Sequence, residues 1–229
     1  VLRLFLFSFF EYIAFWQYLF VFCSLTSMIV GSIGLLYQKK IKRLMAYSGI
    51  ANVGYMLMAV ASGSVESVLG LIIFLLIYVI TTIAFFSVIL GLQTSKDRNL
   101  NIFIADLTNL GKTNTVLAFA VTFIMFSMVG LPPFAGFFGK MYLFLAVLQS
   151  EFYVLAIIGI LSSVIAAFYY IRIVKLMFFE SSQFTRTFAV MDKFNAYVLS
   201  SCLLFLMFFF CYPHPFLVCA HKMAITLCL

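Results

Sequence analysis

The chain has 229 residues, of which 66% are hydrophobic and only 9% are charged. Soluble domains are nearer half apolar and a quarter charged, so this composition excludes an ordinary water-soluble protein and indicates a chain embedded in a lipid bilayer. The net charge of +7 does not indicate a nucleic-acid partner, because the basic residues fall in predicted loops and not along one face.

Long apolar runs without period-two alternation predict transmembrane α-helices and exclude a β-barrel. A span needs about 20 apolar residues, so the length allows about six spans. After a short apolar lead at 1–10, spans are predicted at 15–37, 45–63, 66–93, 114–149, 152–179 and 196–219. We therefore predict an all-α, polytopic transmembrane bundle that forms a single membrane domain over 1–229.

The run 114–149 is too long for one straight span. As one helix it would measure about 54 Å at about 1.5 Å per residue, against a hydrocarbon core of about 30 Å. Its helix breakers Gly130, Pro132, Pro133 and Gly136 lie in the stretch GLPPFAGFFGK. Either two spans meet at this hinge, or one span consists of two half-helices, an arrangement that marks ion or substrate sites in transporters.

The positions of the basic residues favour one broken span. If 114–149 crosses once, the basic clusters at 39–43, 96–112 and 175–193 all fall on one side of the membrane, opposite Arg3 and Lys222. Two crossings would move the third cluster to the other side. The positive-inside rule therefore favours the single crossing, with basic loops in the matrix or cytoplasm and both termini on the opposite face.

Lys140 lies a few residues past the hinge, with apolar sequence on both sides. A charge at membrane depth costs about 3 kcal/mol on insertion scales, so it requires hydration or a partner. A buried lysine whose protonation depends on neighbouring charges can serve as a proton relay. The alternative is a lysine that snorkels to the interface. The glutamates fall at the ends of the predicted segments and not in their interior, so no acidic partner is evident.

Other polar residues lie within the second and third spans. Tyr47, Ser48 and Asn52 follow the first basic loop, and Tyr78 interrupts the third span. Such residues either line or gate a polar path or join helices by hydrogen bonds, and the sequence leaves both interpretations open.

Two pairs of basic residues mark helix ends. Lys42 and Arg43 open the second span, and Arg172 and Lys175 lie one turn apart near the end of the fifth. Anchoring at the inner membrane interface is the favoured interpretation for both pairs.

Signatures of cofactor binding are absent from the sequence. The five cysteines show no paired spacing. No dinucleotide-binding, phosphate-binding or iron–sulfur motif is present. We predict no metal site and no redox cofactor in this chain.

Three motifs together resemble a known family. QKKIKRLMAYSGIANVGYMLM, GLPPFAGFFGKMYLF and SSVIAAFYYIRIVKLMFFE are similar to segments of the antiporter-like, proton-translocating membrane subunits of respiratory complex I. The last two motifs are most similar to the subunit 2 branch, which is equivalent to bacterial subunit N.

The resemblance implies a fold and a function. Family members have fourteen transmembrane helices in two inverted repeats, and this chain resembles the part from the end of helix 8 through helix 14. By resemblance, 114–149 is the broken helix 12 and Lys140 is the terminal proton-site lysine. Flavin, iron–sulfur clusters and ubiquinone are then expected elsewhere in a mitochondrial inner-membrane NADH:ubiquinone oxidoreductase, and a bound phospholipid is a further expectation.

Two departures from the family pattern affect these expectations. The family's other relay residues lie upstream of where this chain begins, so we expect a split subunit whose N-terminal part is a separate chain, alongside other membrane-arm subunits. Asn52 stands where many members carry a histidine, and asparagine cannot titrate. The alternatives are a cation/proton antiporter subunit of related architecture and a non-pumping structural subunit.

Overall fold

The computed structural model describes residues 3–92, 103–180 and 191–228. Within these ranges the chain is helical, apart from short connections and one isolated bridge between Lys40 and Phe103. A π-helical turn (Leu4–Ser8) and a 3-10 turn (Phe10–Tyr12) come first, and a second 3-10 turn (Ile104–Leu107) lies midway. The α-helices are α1 (Ile13–Leu36), α2 (Ile41–Ser62), α3 (Val65–Gly91), α4 (Leu110–Thr113), α5 (Thr115–Val129), α6 (Ala135–Gln149), α7 (Tyr153–Phe178), α8 (Lys193–Cys211) and α9 (His214–Cys228).

The predicted all-α transmembrane bundle is confirmed. Helices α1, α2, α3, α7 and α8 are each long and apolar enough to cross a membrane, while α5 and α6 are shorter apolar helices. Lipid offers no hydrogen bonds to the backbone, so these apolar runs satisfy their polar groups as helices. The large hydrophobic side chains that remain exposed are therefore expected of a lipid-facing surface.

Local chemistry sets several helix boundaries. Gly63 takes a left-handed φ of 66° and ends α2, a conformation that glycine adopts without steric cost. The Ser64 hydroxyl then accepts from the Ser67 backbone N–H at 3.1 Å and caps α3. Asn114 caps α5 in the same way, through the Leu117 N–H at 3.2 Å.

Helices α5 and α6 lie end to end and form one broken span. The residues of α5 share a hydrophobic cluster with 84–89 of α3 and 166–177 of α7. The residues of α6 share another cluster with 68–74 of α3 and 155–156 of α7. The two half-helices thus cover opposite halves of the same two neighbours. A hairpin of two spans would not do this, so the predicted single broken helix is confirmed.

The prediction for the last span was wrong at its end. A continuous span was expected over 196–219, but α8 ends at Cys211 and α9 begins at His214. Pro213 explains the difference, because proline lacks a backbone N–H and disfavours the helical conformation of the residue before it. Helix α9 packs against α3, and its residues Ala220 and Ala224 are buried.

The basic loops meet at one end of the bundle, as the single crossing requires. The Ile104 N–H donates to the Lys39 carbonyl at 3.0 Å. The Tyr169 hydroxyl of α7 donates to the Gln38 carbonyl at 2.7 Å. Parts of the second and third basic clusters lie outside the described residues. Which side of the membrane this basic end faces stays a prediction.

Candidate functional site

The helix break places Lys140 inside the bundle. α5 ends at Val129, and Gly130 follows with a left-handed φ of 83°. The chain then passes through two prolines before α6 starts at Ala135. Lys140 lies in the second turn of α6 and is only 9% exposed. Because helical side chains tilt towards the N-terminus of their own helix, that of Lys140 reaches back to the break.

Lys140 binds the carbonyl groups that end α5. Its ammonium nitrogen donates to the Met128 oxygen at 3.1 Å and to the Val129 oxygen at 2.7 Å. In an uninterrupted helix these carbonyls would accept from the N–H groups four residues on. Those positions are Pro132 and Pro133, which have no N–H to donate. The prolines therefore leave open the two acceptors that the lysine uses.

These bonds explain how a charge remains at this depth. A hydrogen bond to a charged group contributes about 1.5–3 kcal/mol, and the negative end of the α5 dipole also favours a cation. Two such bonds offset the insertion cost of about 3 kcal/mol. Snorkelling to the interface is not needed, and the buried position of the side chain agrees with this.

A small cavity of about 20 Å³ adjoins Lys140. It lies between α2, α3 and the two half-helices. Its walls are formed by Asn52, Phe74, Ile77, Tyr78, Thr81, Ser127, Met128, Gly136 and Lys140. The centroid of the Tyr55 ring lies 5.6 Å from the ammonium nitrogen. Within the described residues, no carboxylate lies within ion-pair distance of Lys140.

The predicted polar residues divide into two groups. Asn52 and Tyr78 line the cavity beside Lys140. Ser48 does not, because its hydroxyl is bonded at 2.5 Å to the hydroxyl of Tyr170 in α7. The ring of Tyr47 packs against Gly34 of α1 instead. Ser48 therefore joins two helices, and the proposed path or gating role is supported by position only for Asn52 and Tyr78.

A second buried pair also joins α2 and α7. The hydroxyls of Tyr55 and Ser162 lie 2.9 Å apart. Together with the Ser48–Tyr170 pair, this bond fixes the position of α7 against α2, the helix that carries Asn52. Sequence reasoning did not single out Ser162, Tyr170 or the cavity residue Ser127. Ser127 could have been noticed as a single polar residue in the apolar run just before the hinge.

The hinge residues do two different things. Gly130 adopts the left-handed conformation that ends α5. Gly136 allows a close approach, since a Cβ built on it would overlap the Ser127 carbonyl oxygen. Pro132 and Pro133 are exposed and act by removing N–H donors. All four predicted hinge residues thus lie at the break.

The predicted interface residues lie at the basic end. Lys42 and Arg43 are exposed at the start of α2. Lys175 is 3.6 Å from Glu180 in a solvent-accessible ion pair, which contributes little to stability. Arg172 borders a cavity of about 670 Å³ whose walls also include Lys39 and Tyr169. Within the described ranges, no cluster of three or more His, Cys, Asp or Glu side chains is present. The prediction of no metal or cofactor stays a prediction.

Comparison with known proteins identifies similar chains. The family model described as "NADH:quinone oxidoreductase/Mrp antiporter, TM" matches residues 1–166. NADH-ubiquinone oxidoreductase chain 2 of Marchantia polymorpha is 43% identical over 100% of this chain and 46% of its own length. NADH-quinone oxidoreductase subunit N 1 of Rhizobium meliloti (strain 1021) is 44% identical over 76% of this chain and 37% of its own length.

A solved structure shows the same fold. A chain of respiratory complex I from Thermus thermophilus with bound Aureothin superposes with a TM-score of 0.75 and 28% sequence identity. The match covers 86% of this chain and 44% of that chain. This chain thus spans about half the length of the curated relatives it matches.

Proposed function

The chain belongs to the family of NADH:quinone oxidoreductase and Mrp antiporter transmembrane subunits, and we propose that it translocates protons in the membrane arm of mitochondrial respiratory complex I. Its relatives are named chain 2 in plants and subunit N in bacteria. The proposed activity is that of NADH:ubiquinone oxidoreductase as a whole. This chain would contribute proton movement, with flavin, iron–sulfur clusters and ubiquinone bound elsewhere in the complex.

The buried Lys140 is the observation that carries this proposal. Its side chain is held by the Met128 and Val129 carbonyls, which can accept from a neutral amine as well as from an ammonium group. The lysine therefore keeps its place whether or not it carries a proton. Within the described residues, no carboxylate forms an ion pair that would stabilise the protonated form of Lys140. A change of charge at a neighbouring site can then decide whether the proton stays.

The proposed mechanism is electrostatic. A proton reaches Lys140 along a polar path past Asn52 and Tyr78, which line the adjoining cavity. A positive charge that arrives on a neighbouring site makes the ammonium form unfavourable, and the proton leaves towards the intermembrane space. Quinone reduction elsewhere in the complex supplies the energy that moves the neighbouring charge.

Native purification tests membership of the complex. The chain is solubilised in mild detergent, separated on a native gel and identified by mass spectrometry together with what accompanies it. We expect it to migrate with NADH dehydrogenase activity and with other membrane-arm subunits. Isolation with antiporter-type partners, or without NADH dehydrogenase, would contradict the proposal. The same spectra show whether the first half of the subunit lies on a separate chain, which stays a prediction.

The proposed location is the mitochondrial inner membrane, with the basic end of the bundle in the matrix. The mitochondrial part rests on the similarity to chain 2 of plants. The orientation rests on the excess of basic residues at one end.

A cation/proton antiporter subunit is the second candidate function, because the same family model covers Mrp antiporters. It predicts proton flux that depends on sodium or potassium and does not require NADH. Chain 2 of Marchantia polymorpha, which is similar over the full 229 residues, favours complex I. A purely structural role gains nothing from a lysine buried at membrane depth.

A bound phospholipid also stays a prediction, and the large cavity at the basic end is the place that suits it. Lys39 and Arg172 offer positive charge, while Leu36, Ile173 and Leu176 give apolar walls. Lipid analysis of the purified complex tests this. Arg172→Gln should lower the anionic phospholipid retained, whereas Lys175→Gln, outside the cavity, should not.

A further inference from the structure

Ser127 presents a buried hydroxyl without a protein partner. The residue lies near the end of α5 and is 1% exposed. Its Oγ forms no hydrogen bond within the described parts of the chain. Buried hydroxyls in native proteins are nearly always bonded to protein or to ordered water. A hydroxyl in this position therefore indicates a ligand in the adjoining cavity.

The cavity has the size and the polar groups for one water. Its volume is about 20 Å³, and a cavity needs about 10–15 Å³ to hold one water molecule. Ser127, Lys140 and Thr81 all line it. A buried water typically makes about three hydrogen bonds to such groups. Larger ligands do not fit.

The donors and acceptors of these groups are complementary to a water. Lys140 has three N–H donors, and the Met128 and Val129 carbonyls take two of them. The Thr81 hydroxyl donates within its own helix, to the Ile77 and Tyr78 carbonyls at 2.9 Å each. Thr81 can therefore still accept a hydrogen bond. A water that accepts from Lys140 and donates to Ser127 and Thr81 satisfies all three groups.

We propose that this cavity binds a single water molecule, which accepts the third N–H of Lys140 and is held in place by Ser127. Ser127 is thus a positioning residue that acts on the lysine through the water. This inference rests on the proposed function, since it assigns to Ser127 the task of presenting a polar partner to the proton-carrying lysine. Proton movement at Lys140 then depends on a hydroxyl that forms no direct hydrogen bond with the lysine.

The test uses the assembled complex with three variants of this chain. Ser127→Ala removes the hydroxyl. Ser87→Ala is the matched control, because Ser87 is also buried but its hydroxyl donates at 2.7 Å to the Ala84 carbonyl within α3. Lys140→Met tests the underlying function. Each variant is compared for the rate of proton pumping, for protons pumped per NADH oxidised and for the pH dependence of pumping. A high-resolution cryo-EM map of the unmodified complex is inspected for a water between Ser127 and Lys140.

We expect a water-sized density at this position. In Ser127→Ala the water should be lost, so the ammonium group of Lys140 loses one hydrogen bond, the rate of proton pumping should fall about tenfold, and the pH profile of pumping should shift. Ser87→Ala should change neither. A well-resolved map without the water overturns the proposal even if Ser127→Ala fails to assemble. Normal pumping in Ser127→Ala beside defective Lys140→Met overturns it while leaving the proposed function intact. Normal pumping in Lys140→Met overturns both.

Discussion

The ammonium nitrogen of Lys140, in the second turn of α6, lies 2.7 Å from the carbonyl oxygen of Val129, the last residue of α5. This bond joins the two half-helices across the break. The prolines that follow the end of α5 leave this carbonyl without its usual donor. Interruption of the helix and burial of the lysine are therefore two consequences of one short sequence.

Replacing Lys140 by methionine should abolish proton movement at this site while the complex still assembles. The Met128 and Val129 carbonyls lose their donor, at a cost of about 1–3 kcal/mol each, which is offset because no charge then has to be held at membrane depth. The measurements are the amount of complex on native gels and the protons pumped per NADH. Lys175→Met, an exposed lysine at the basic end, is the control and should change neither. Normal pumping by Lys140→Met would remove the basis of the proposed function.

Replacing both Pro132 and Pro133 by alanine should displace Lys140 from its two carbonyls. The new N–H groups can bond to the Met128 and Val129 oxygens and extend α5. We expect lower pumping from complex that is still assembled. Pro213→Ala, at the junction of α8 and α9, is the control, because the carbonyls freed there are not bound by Lys140. Unchanged pumping in the double variant would show that the lysine does not need these acceptors.

Gly136→Ala should destabilise the hinge. A Cβ at this position overlaps the Ser127 carbonyl oxygen, and backbone does not move aside as a flexible side chain does. Overpacking of this kind costs about 1–3 kcal/mol. Thermal unfolding in detergent should therefore occur at lower temperature. Gly49→Ala is the milder control, since its Cβ would lie 3.3 Å from only the Tyr78 hydroxyl. Equal stability of the two variants would contradict the close approach.

Removing either hydroxyl of the Ser48–Tyr170 pair should destabilise the contact between α2 and α7. Each single change, Ser48→Ala or Tyr170→Phe, leaves the other buried hydroxyl unpaired, at a cost of about 1–3 kcal/mol. The double variant should lose less than the sum of the two, and a double-mutant cycle measures this coupling. Tyr153→Phe, with 57% of the side chain exposed, should have no effect. Additive losses would mean that the two hydroxyls do not interact.

Asn52→Leu should lower pumping, because it removes a polar wall of the cavity beside Lys140. Asn52→His should be tolerated, since an imidazole also offers a donor and an acceptor. The measurement is again protons pumped per NADH in the assembled complex. Val53→Leu, a neighbouring position that is 47% exposed, controls for bulk in the same helix. Full activity of Asn52→Leu would exclude Asn52 from the path.

The membrane-spanning helices were predictable because lipid imposes a simple rule. An apolar run long enough to cross must satisfy its backbone internally, and composition alone reveals such runs. α1, α2, α3 and α7 appear close to where hydropathy predicts them. The end of α8 was not predicted correctly. The apolar sequence continues past Pro213, but α8 ends at Cys211 and a separate helix begins at His214.

Lys140 was also evident from the sequence, since a charge within an apolar run stands out wherever the run folds. Its partners did not stand out. The Met128 and Val129 acceptors are backbone atoms, and backbone carbonyls have no sequence signature. Ser127 and Tyr47 are both polar residues within predicted spans, yet Ser127 lines the cavity and Tyr47 packs on Gly34. Which way a side chain faces depends on the rotation of its helix against its neighbours, and only tertiary packing sets that rotation.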